Sequence, residues 1–301
     1  MLHGMTASGK MPRQERFLTR ATRWQLRTRW LDLPPRPLVM GIVNVTPDSF
    51  SDGGKFFDPA AAIERGLQLA ADGADILDVG GESTRPYSEV VPEAEELRRV
   101  QGVVSALCQQ TRLPVSIDTS KATVAQAAID AGAEIVNDVT ALTGDPAMLE
   151  VVRRSGVGAI AMHLPSTPQT MNDNPKYADV VIEVFDYLRA RRDELLAAGI
   201  EPTKLALDPG IGFGKLHPHS LALLAHCHKF HELGCPIVVG HSRKGFIGHV
   251  LGDKEADRTA GTIGVALSLA RQGVQIVRVH DVAPVRQALL LFEATGGLDS
   301  V

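Results

Sequence analysis

The chain has 301 residues, of which 44% are hydrophobic and 22% charged, with a formal net charge of −4. This is the composition of a soluble chain with a large core, and it excludes a disordered tail protein, a coiled coil and a collagen-like repeat. No apolar run of the length a bilayer requires is present, and the negative balance argues against nucleic acid as the main partner.

The charge is uneven: residues 1–37 balance to +6 and the remainder to −10. The first 37 residues read as a basic N-terminal arm or hairpin, with weak alternation around Trp24, Leu26 and Trp30. A targeting presequence and a contact for an anionic partner are the other readings of this arm; a secretory apolar segment is absent. The three cysteines, Cys108, Cys227 and Cys235, are scattered and form no CxxC pair. A reducing, cytoplasmic setting is therefore expected.

From residue 38 onward short β-branched runs alternate with Ala/Leu/Glu-rich stretches of helical spacing. Strands are predicted at 38–44, 74–80, 114–118, 134–139, 158–163, 204–208, 236–241 and 275–280. Helices are predicted near 58–72, 92–110, 121–131, 145–155, 177–198, 217–233, 257–272 and 282–294. Glycines 73, 132, 156, 199, 234 and 273 close these helices ahead of the next strand. Eight β–α units over about 260 residues predict an α/β fold, a TIM (β/α)8 barrel spanning 38–297 with a short N-terminal arm or hairpin. An open doubly wound sheet is the alternative, but it ordinarily carries a Gly-rich fingerprint after its first strand, where this chain has a long polar loop.

In such a barrel, chemistry collects where strands end. The strand ends carry Asn44, the run Gly81-Glu82-Ser83-Thr84-Arg85, Asp118, Asn137 with Asp138, Met162 with His163, Asp208, Ser242-Arg243-Lys244, and Arg278 with His280 and Asp281. Polar groups at the same end of every strand are costly unless partnered. Helix capping is an adequate reading for Thr119 or Asp281 alone, but a poor one for the whole ring. Asp118, Asn137 and Asp208 suit a flat heterocycle that offers parallel N–H donors. Lys244, Arg278 and His280, with Asn44 opposite, suit phosphate oxygens. The pairing implies a ligand with a nitrogen-rich ring at one end and phosphate at the other.

Residues 210–215, Gly-Ile-Gly-Phe-Gly-Lys, resemble a phosphate loop but lack its spacing and its terminal Ser/Thr. They read instead as a turn that brings backbone and Phe213 to the ligand. Loop 45–57, rich in Gly, Ser and Asp, reads as a lid. His226, His228 and His231 read as a solvated helix face rather than a metal site. Ala260, Gly261, Gly264 and Ala266 permit close helix packing within the barrel.

The string Asn44-Val45-Thr46-Pro47-Asp48-Ser49-Phe50-Ser51-Asp52-Gly53-Gly54 resembles the first signature of the dihydropteroate synthase family. Six further stretches match in order: Gly81 to Pro86, Ser116 to Thr119, Asn137-Asp138, Asp208 to Lys215, Ser242 to Lys244, and Arg278 to Asp281. The resemblance covers about residues 38–295. It implies condensation of 6-hydroxymethyl-7,8-dihydropterin pyrophosphate with p-aminobenzoate, with Mg2+ as cofactor, by a cytoplasmic homodimer that sulfonamides target. By the same resemblance Asp118, Asn137, Met162, Asp208, Phe213, Lys244 and Arg278 hold the pterin, with Lys244, Asp118 and Arg278 as catalytic residues. Asn44, Arg278 and His280 bind the pyrophosphate, Asn44 and Asp52 the metal, and Asp52, Ser83, Thr84, Arg85 and Pro86 help form the aminobenzoate site. Tyr87, Ser166, Ser220 and Gly245 depart from the family pattern and bear on aminobenzoate and sulfonamide binding. A pterin-binding methyltransferase, a non-catalytic pterin or anion binder, and a phosphosugar barrel enzyme are the rival readings.

Overall fold

A computed structural model describes residues 17–46, 59–83, 90–166, 171 and 175–298. Two short strands, β1 (Arg23–Gln25) and β2 (Trp30–Asp32), form an antiparallel hairpin ahead of the main sheet. Eight parallel strands follow: β3 (Leu38–Asn44), β4 (Ile76–Gly80), β5 (Val115–Asp118), β6 (Ile135–Asp138), β7 (Gly158–Met162), β8 (Leu205–Asp208), β9 (Val238–Gly240) and β10 (Ile276–Val279). Each neighbours its successor from β3 to β8, and β10 pairs with both β3 and β9. The remaining seam is closed by a parallel bridge between Leu207 and Ile237, where the Leu207 N–H donates to the Pro236 carbonyl at 2.9 Å. The sheet is therefore a (β/α)8 barrel and not an open doubly wound sheet.

All eight strands fall within two residues of their expected spans. The helices are α1 (Pro59–Ala71), α2 (Glu93–Gln110), α3 (Ala122–Asp130), α4 (Met148–Ser155), α5 (Val180–Ala197), α6 (His217–Ala225), α7 (Gly245–Leu251), α8 (Thr259–Arg271) and α9 (Val282–Ala294). Two corrections apply. The stretch expected as one helix over 217–233 breaks at His226 and continues as a 3-10 segment, Cys227–Leu233. The second is α7, a seven-residue helix outside the eight predicted spans; it is too short, at two turns, to show an apolar period.

Strand side chains alternate between two faces. The outward set, including Val39, Val43, Leu77, Val79, Val115, Ile117, Val136, Leu205, Leu207, Val239 and Val277, packs beneath the helices in the main core. The inward set begins with Met40, Ile76, Ile135, Ile160, Ala206, Val238 and Ile276, which cluster with Trp24, Leu26 and Leu33 of the N-terminal segment. The hairpin thus plugs the barrel at the end where its strands start. Trp24 is fully buried and its indole N–H donates to the Lys204 carbonyl at 2.9 Å. Gly158 makes the fit possible: a Cβ there would lie 2.8 Å from Leu26 and 3.1 Å from Trp24. Arg20 fastens the arm by donating to the carbonyls of Gly273 (2.7 Å), Leu33 (3.0 Å) and Pro34 (2.7 Å).

Removing the plug leaves a cavity lined by aliphatic side chains. Trp24→Ala is expected to cost about 3–5 kcal/mol of folding stability, read as a lowered urea midpoint. A midpoint equal to that of the parent chain would show that the hairpin does not brace the barrel.

Candidate active site

Two residues beyond the apolar floor, the inward positions turn polar. Ile76 is followed by Asp78, Ile135 by Asn137, Ala206 by Asp208 and Ile276 by Arg278, while Ser116 and Asp118 supply the same face of β5. Strand periodicity alone therefore sets a ring of charged and amide groups on a greasy base, at the C-terminal end of the barrel.

The ring is organised around Arg278. Its Nε donates to Asp78 Oδ2 at 2.6 Å and its Nη2 to Asp118 Oδ2 at 2.7 Å. Asp78 Oδ2 also accepts from Asn137 Nδ2 at 3.2 Å. Asp78 is fully buried and Asn137 nearly so. Burial works against the guanidinium charge, but Asp78 and Asp118 hold the pKa of Arg278 above its ordinary value. Burial pushes Asp118 up to about 7; Arg278 opposes this and the nearby Asp78 charge adds to it. One guanidinium shared between two carboxylates leaves an unbalanced negative charge, the setting in which a carboxyl holds its proton most tightly.

Asp208 faces the same space. A Cβ built on Gly240 would meet Arg278 Cδ at 3.9 Å and Asp208 Oδ2 at 4.0 Å, so the two side chains converge above Gly240. Burial raises the Asp208 pKa, and the Gly210 N–H, donating to Oδ1 at 2.7 Å, works against that rise. Lys244 sits with its Nζ 4.3 Å from the centroid of the Phe213 ring and donates to the Ile211 carbonyl. Burial lowers Lys244 to about 8, with Asp208 opposing. Phe213, over which Lys244 sits, packs against a buried cluster of Val139, Met162, Leu164 and Met171.

Lys244 is aimed inward by a strained turn. Arg243 has φ 57, a left-handed conformation uncommon for a residue with a side chain. Three neighbours hold it there. Its guanidinium pairs with Asp281, with Nε 2.8 Å from Oδ2. Its N–H donates to Thr262 Oγ1 at 3.1 Å, and Arg258 Nη1 donates to its carbonyl at 3.0 Å. Asp281 therefore pairs with Arg243 and makes no side-chain cap on α9, against the capping reading. Thr119 does serve its turn, accepting from the Lys121 N–H at 3.2 Å. Asp138 anchors the loop after β6 by accepting from Thr140 and Leu142.

His280 lies on the rim, where its N–H donates to Ser242 Oγ at 3.2 Å and its carbonyl accepts from Arg65 at 2.7 Å. Asn44 closes β3, half-buried, and Ser83 follows β4, also half-buried. The loop leaving β4 is tied at both ends: Glu82 accepts from the Val91 N–H at 3.0 Å, and Lys121 bridges Glu82 to the fully buried Glu96. Asp52, Thr84, Arg85, Pro86 and Tyr87, together with residues 47–57 of the expected lid, lie outside the described residues.

Two sequence expectations are corrected. The acidic and basic sides do not form separate walls, because Arg278 sits between two carboxylates. The histidines over 226–231 are not a uniform solvated face. His231 is buried, its Nε2 2.9 Å from the Gln272 carbonyl and its ring 5.1 Å from that of Phe17. Asp78 was absent from the expected site. It lies in mid-strand, not at a strand tip, and only its parity with Ile76 signals that it faces inward.

Comparison with known proteins places this geometry. The family described as "Pterin binding enzyme" matches residues 40–280. Dihydropteroate synthase of Neisseria meningitidis serogroup B is 44% identical over 267 residues, covering 87% of this chain and 93% of that protein. The structure of Xanthomonas albilineans dihydropteroate synthase with 4-aminobenzoic acid superposes with a TM-score of 0.85 at 46% identity, covering 91% of this chain and 98% of that one. The Yersinia pestis dihydropteroate synthase in a sulfonamide drug complex gives 0.85 at 41% identity, covering 91% and 99%. A barrel mouth of this composition, matched over this length, is that of a pterin-binding (β/α)8 enzyme. Within that class the chain belongs to the dihydropteroate synthase family.

The Lys244 ammonium is lost as pH rises through about 8, removing a cation that faces Asp208. Affinity for a pterin is expected to fall as pH rises from 8 to 9.5, beyond the range in which Asp118 titrates near 7, measured by titration calorimetry. Affinity that stays flat to pH 9.5 contradicts a role for that charge.

Proposed function

We propose that this chain joins 6-hydroxymethyl-7,8-dihydropterin pyrophosphate to p-aminobenzoate, releasing pyrophosphate and 7,8-dihydropteroate. The observation that carries the reading is the inward ring of Asp78, Asp118, Asn137 and Asp208 interlocked with Arg278 and Lys244 above an apolar floor. An aminopyrimidine edge offers several N–H donors side by side, and buried carboxylates and an amide accept them. Asp208, Asn137 and Asp118 take that edge, Lys244 donates to the ring's acceptor atoms, and Met162 and Phe213 line its faces.

Arg278 serves the other end of the substrate without leaving its anchors. Nε and Nη2 are engaged by Asp78 and Asp118, while Nη1 makes no hydrogen bond among the described residues. A guanidinium carries five N–H donors in a fixed fork, so Nη1 remains for a phosphate oxygen. His280 and Asn44 on the rim complete that contact. The dihydropterin methylene–oxygen bond breaks, and the leaving diphosphate takes the electron pair. The aniline nitrogen supplies the new carbon–nitrogen bond and then loses a proton to the medium. An aniline is a nucleophile at neutral pH, so the chain supplies placement and charge where other transferases need a strong base.

Mg2+ fits the rim in part. Asn44 presents an amide oxygen, a hard donor of the kind this ion accepts, and Mg2+ commonly takes one or two protein oxygens with water and phosphate completing its shell. When bound, it neutralises charge on the departing diphosphate. Asn44 would hold it, with Asp52 as the second candidate. The loop residues Ser83, Thr84, Arg85 and Pro86, with Asp52, would frame the aminobenzoate. Gly245, which opens α7 directly after Lys244, leaves that position without a hydroxyl. A sulfonamide, which carries the same aniline ring, would compete there. Cytoplasmic residence, which rests on the scattered cysteines, and a homodimer, which rests on the family resemblance, complete the reading. No described helix is long and apolar enough to cross a membrane.

The test is pyrophosphate release by the purified chain with the pterin pyrophosphate and Mg2+, with and without p-aminobenzoate. Release is expected only with both substrates. Lys244→Ala and Asp208→Asn are each expected to lower kcat/KM by about 100-fold or more, in line with removal of a buried charged contact. Turnover at the parent rate in either variant, or release independent of p-aminobenzoate, overturns the assignment.

A further inference from the structure

Lys215 ends the Gly-rich turn after β8 and has no place in the reaction as described. It is nevertheless buried, only 6% exposed. Its Nζ lies 2.8 Å from His163 Nδ1 and 2.8 Å from the Phe213 carbonyl, to which it donates. No carboxylate pairs with it among the described residues. Burial lowers its pKa well below the ordinary lysine value, and burial followed by the neighbouring Lys215 takes His163 down to about 3. Nζ and Nδ1 thus form a buried nitrogen–nitrogen hydrogen bond. Such a pair is expensive to bury, so its position calls for a reason.

The neighbours supply one. His163 directly follows Met162, and Lys215 stands two residues after Phe213, so the tie joins the chain segments that carry the two apolar lining residues. The same segments meet at Gly210, whose φ is +67 and where a Cβ would fall 2.2 Å from the His163 carbonyl. Gly210 in turn orients Asp208 through its N–H. His163 is braced from behind by Tyr187, edge-on with centroids 4.7 Å apart, and Tyr177 donates to the Gly214 carbonyl at 3.0 Å. Displacing the loop after β7 relative to the loop after β8 therefore shifts Met162 relative to Phe213 and Asp208.

We propose that the Lys215–His163 hydrogen bond is a positioning device for the pterin pocket, registering the β7 and β8 loops so that Met162, Phe213 and Asp208 converge on one ligand. Lys215 touches no substrate; it acts through those three side chains. The inference rests on the reading of the chain as a dihydropteroate synthase and specifies how that site is held in shape.

The experiment compares the parent chain, Lys215→Met, His163→Phe and the double variant. The parent must first show turnover that depends on both substrates; its failure would count against the functional reading and not against the tie. Given that turnover, each single variant is expected to raise the KM for the pterin pyrophosphate roughly tenfold, the scale of one lost buried hydrogen bond to a charged group. The KM for p-aminobenzoate is expected to stay within about twofold of the parent's. Both substitutions break the Lys215–His163 bond, and Lys215→Met also removes the bond to the Phe213 carbonyl, so the double variant is expected to be no worse than Lys215→Met alone. Thermal melts check that each variant is folded. Should a single variant fail to fold, the other single variant carries the KM comparison. Pterin KM values within twofold of the parent's, additive losses in the double variant, or equal losses for both substrates would overturn the proposal.

Discussion

The site depends on one buried ion cluster, the Arg278 guanidinium held between Asp78 and Asp118. Two carboxylates and an amide crowd a mouth floored by isoleucine, and without a cation among them the carboxyls would take up protons or draw in water. Arg278 lies on β10, Asp78 on β4 and Asp118 on β5, so the cluster also crosses the β10–β3–β4–β5 side of the barrel. A planar fork is the group suited to this. It binds two acceptors at fixed angles and still projects donors outward, which a lysine ammonium at the same place would not do in a fixed plane. The cluster lets one residue serve as an interior ion-pair partner and, on the proposed function, as a donor to phosphate.

The second organising element is the turn that presents Lys244. A left-handed Arg243 has a conformational cost, and the structure offsets it with Arg258 and Thr262 at the start of α8 and Asp281 just before α9. Those contacts lie outside the cavity. They make Lys244 sensitive to residues that never approach a ligand, including the start of α8. Backbone strain of this kind recurs where a side chain must be aimed against its own preference.

The strand pattern was plainly written in the sequence. Runs such as Leu38–Asn44 and Gly158–Met162 are short, β-branched or small, and bounded by turn residues, so they are distinguishable from helices without any partner. The strand-tip residues Asp118, Asn137, Asp208, Lys244 and Arg278 were also legible, because polar groups ending apolar runs stand out. Asp78 was not, since it is flanked by Leu77 and Val79 and looks like one charge inside a strand; its meaning depends on knowing which face points inward. The pairing of Asp281 with Arg243 joins residues 38 positions apart and has no local signature. His231 was misread for a related reason: its burial comes from Phe17 of the N-terminal arm, which no helical period around residue 231 records. The break at His226 and the two-turn α7 show the same limit, where a segment is too short for its periodicity to be counted.

The hairpin that stoppers the strand-start end of the barrel has a consequence for traffic. With Trp24 seated against the isoleucine floor, the cup is blind, and everything that enters or departs does so across a single rim. On the proposed function, a pterin seated beside Asp208 and Asn137 would therefore exchange with solvent on the side away from Trp24, past the residues of the rim.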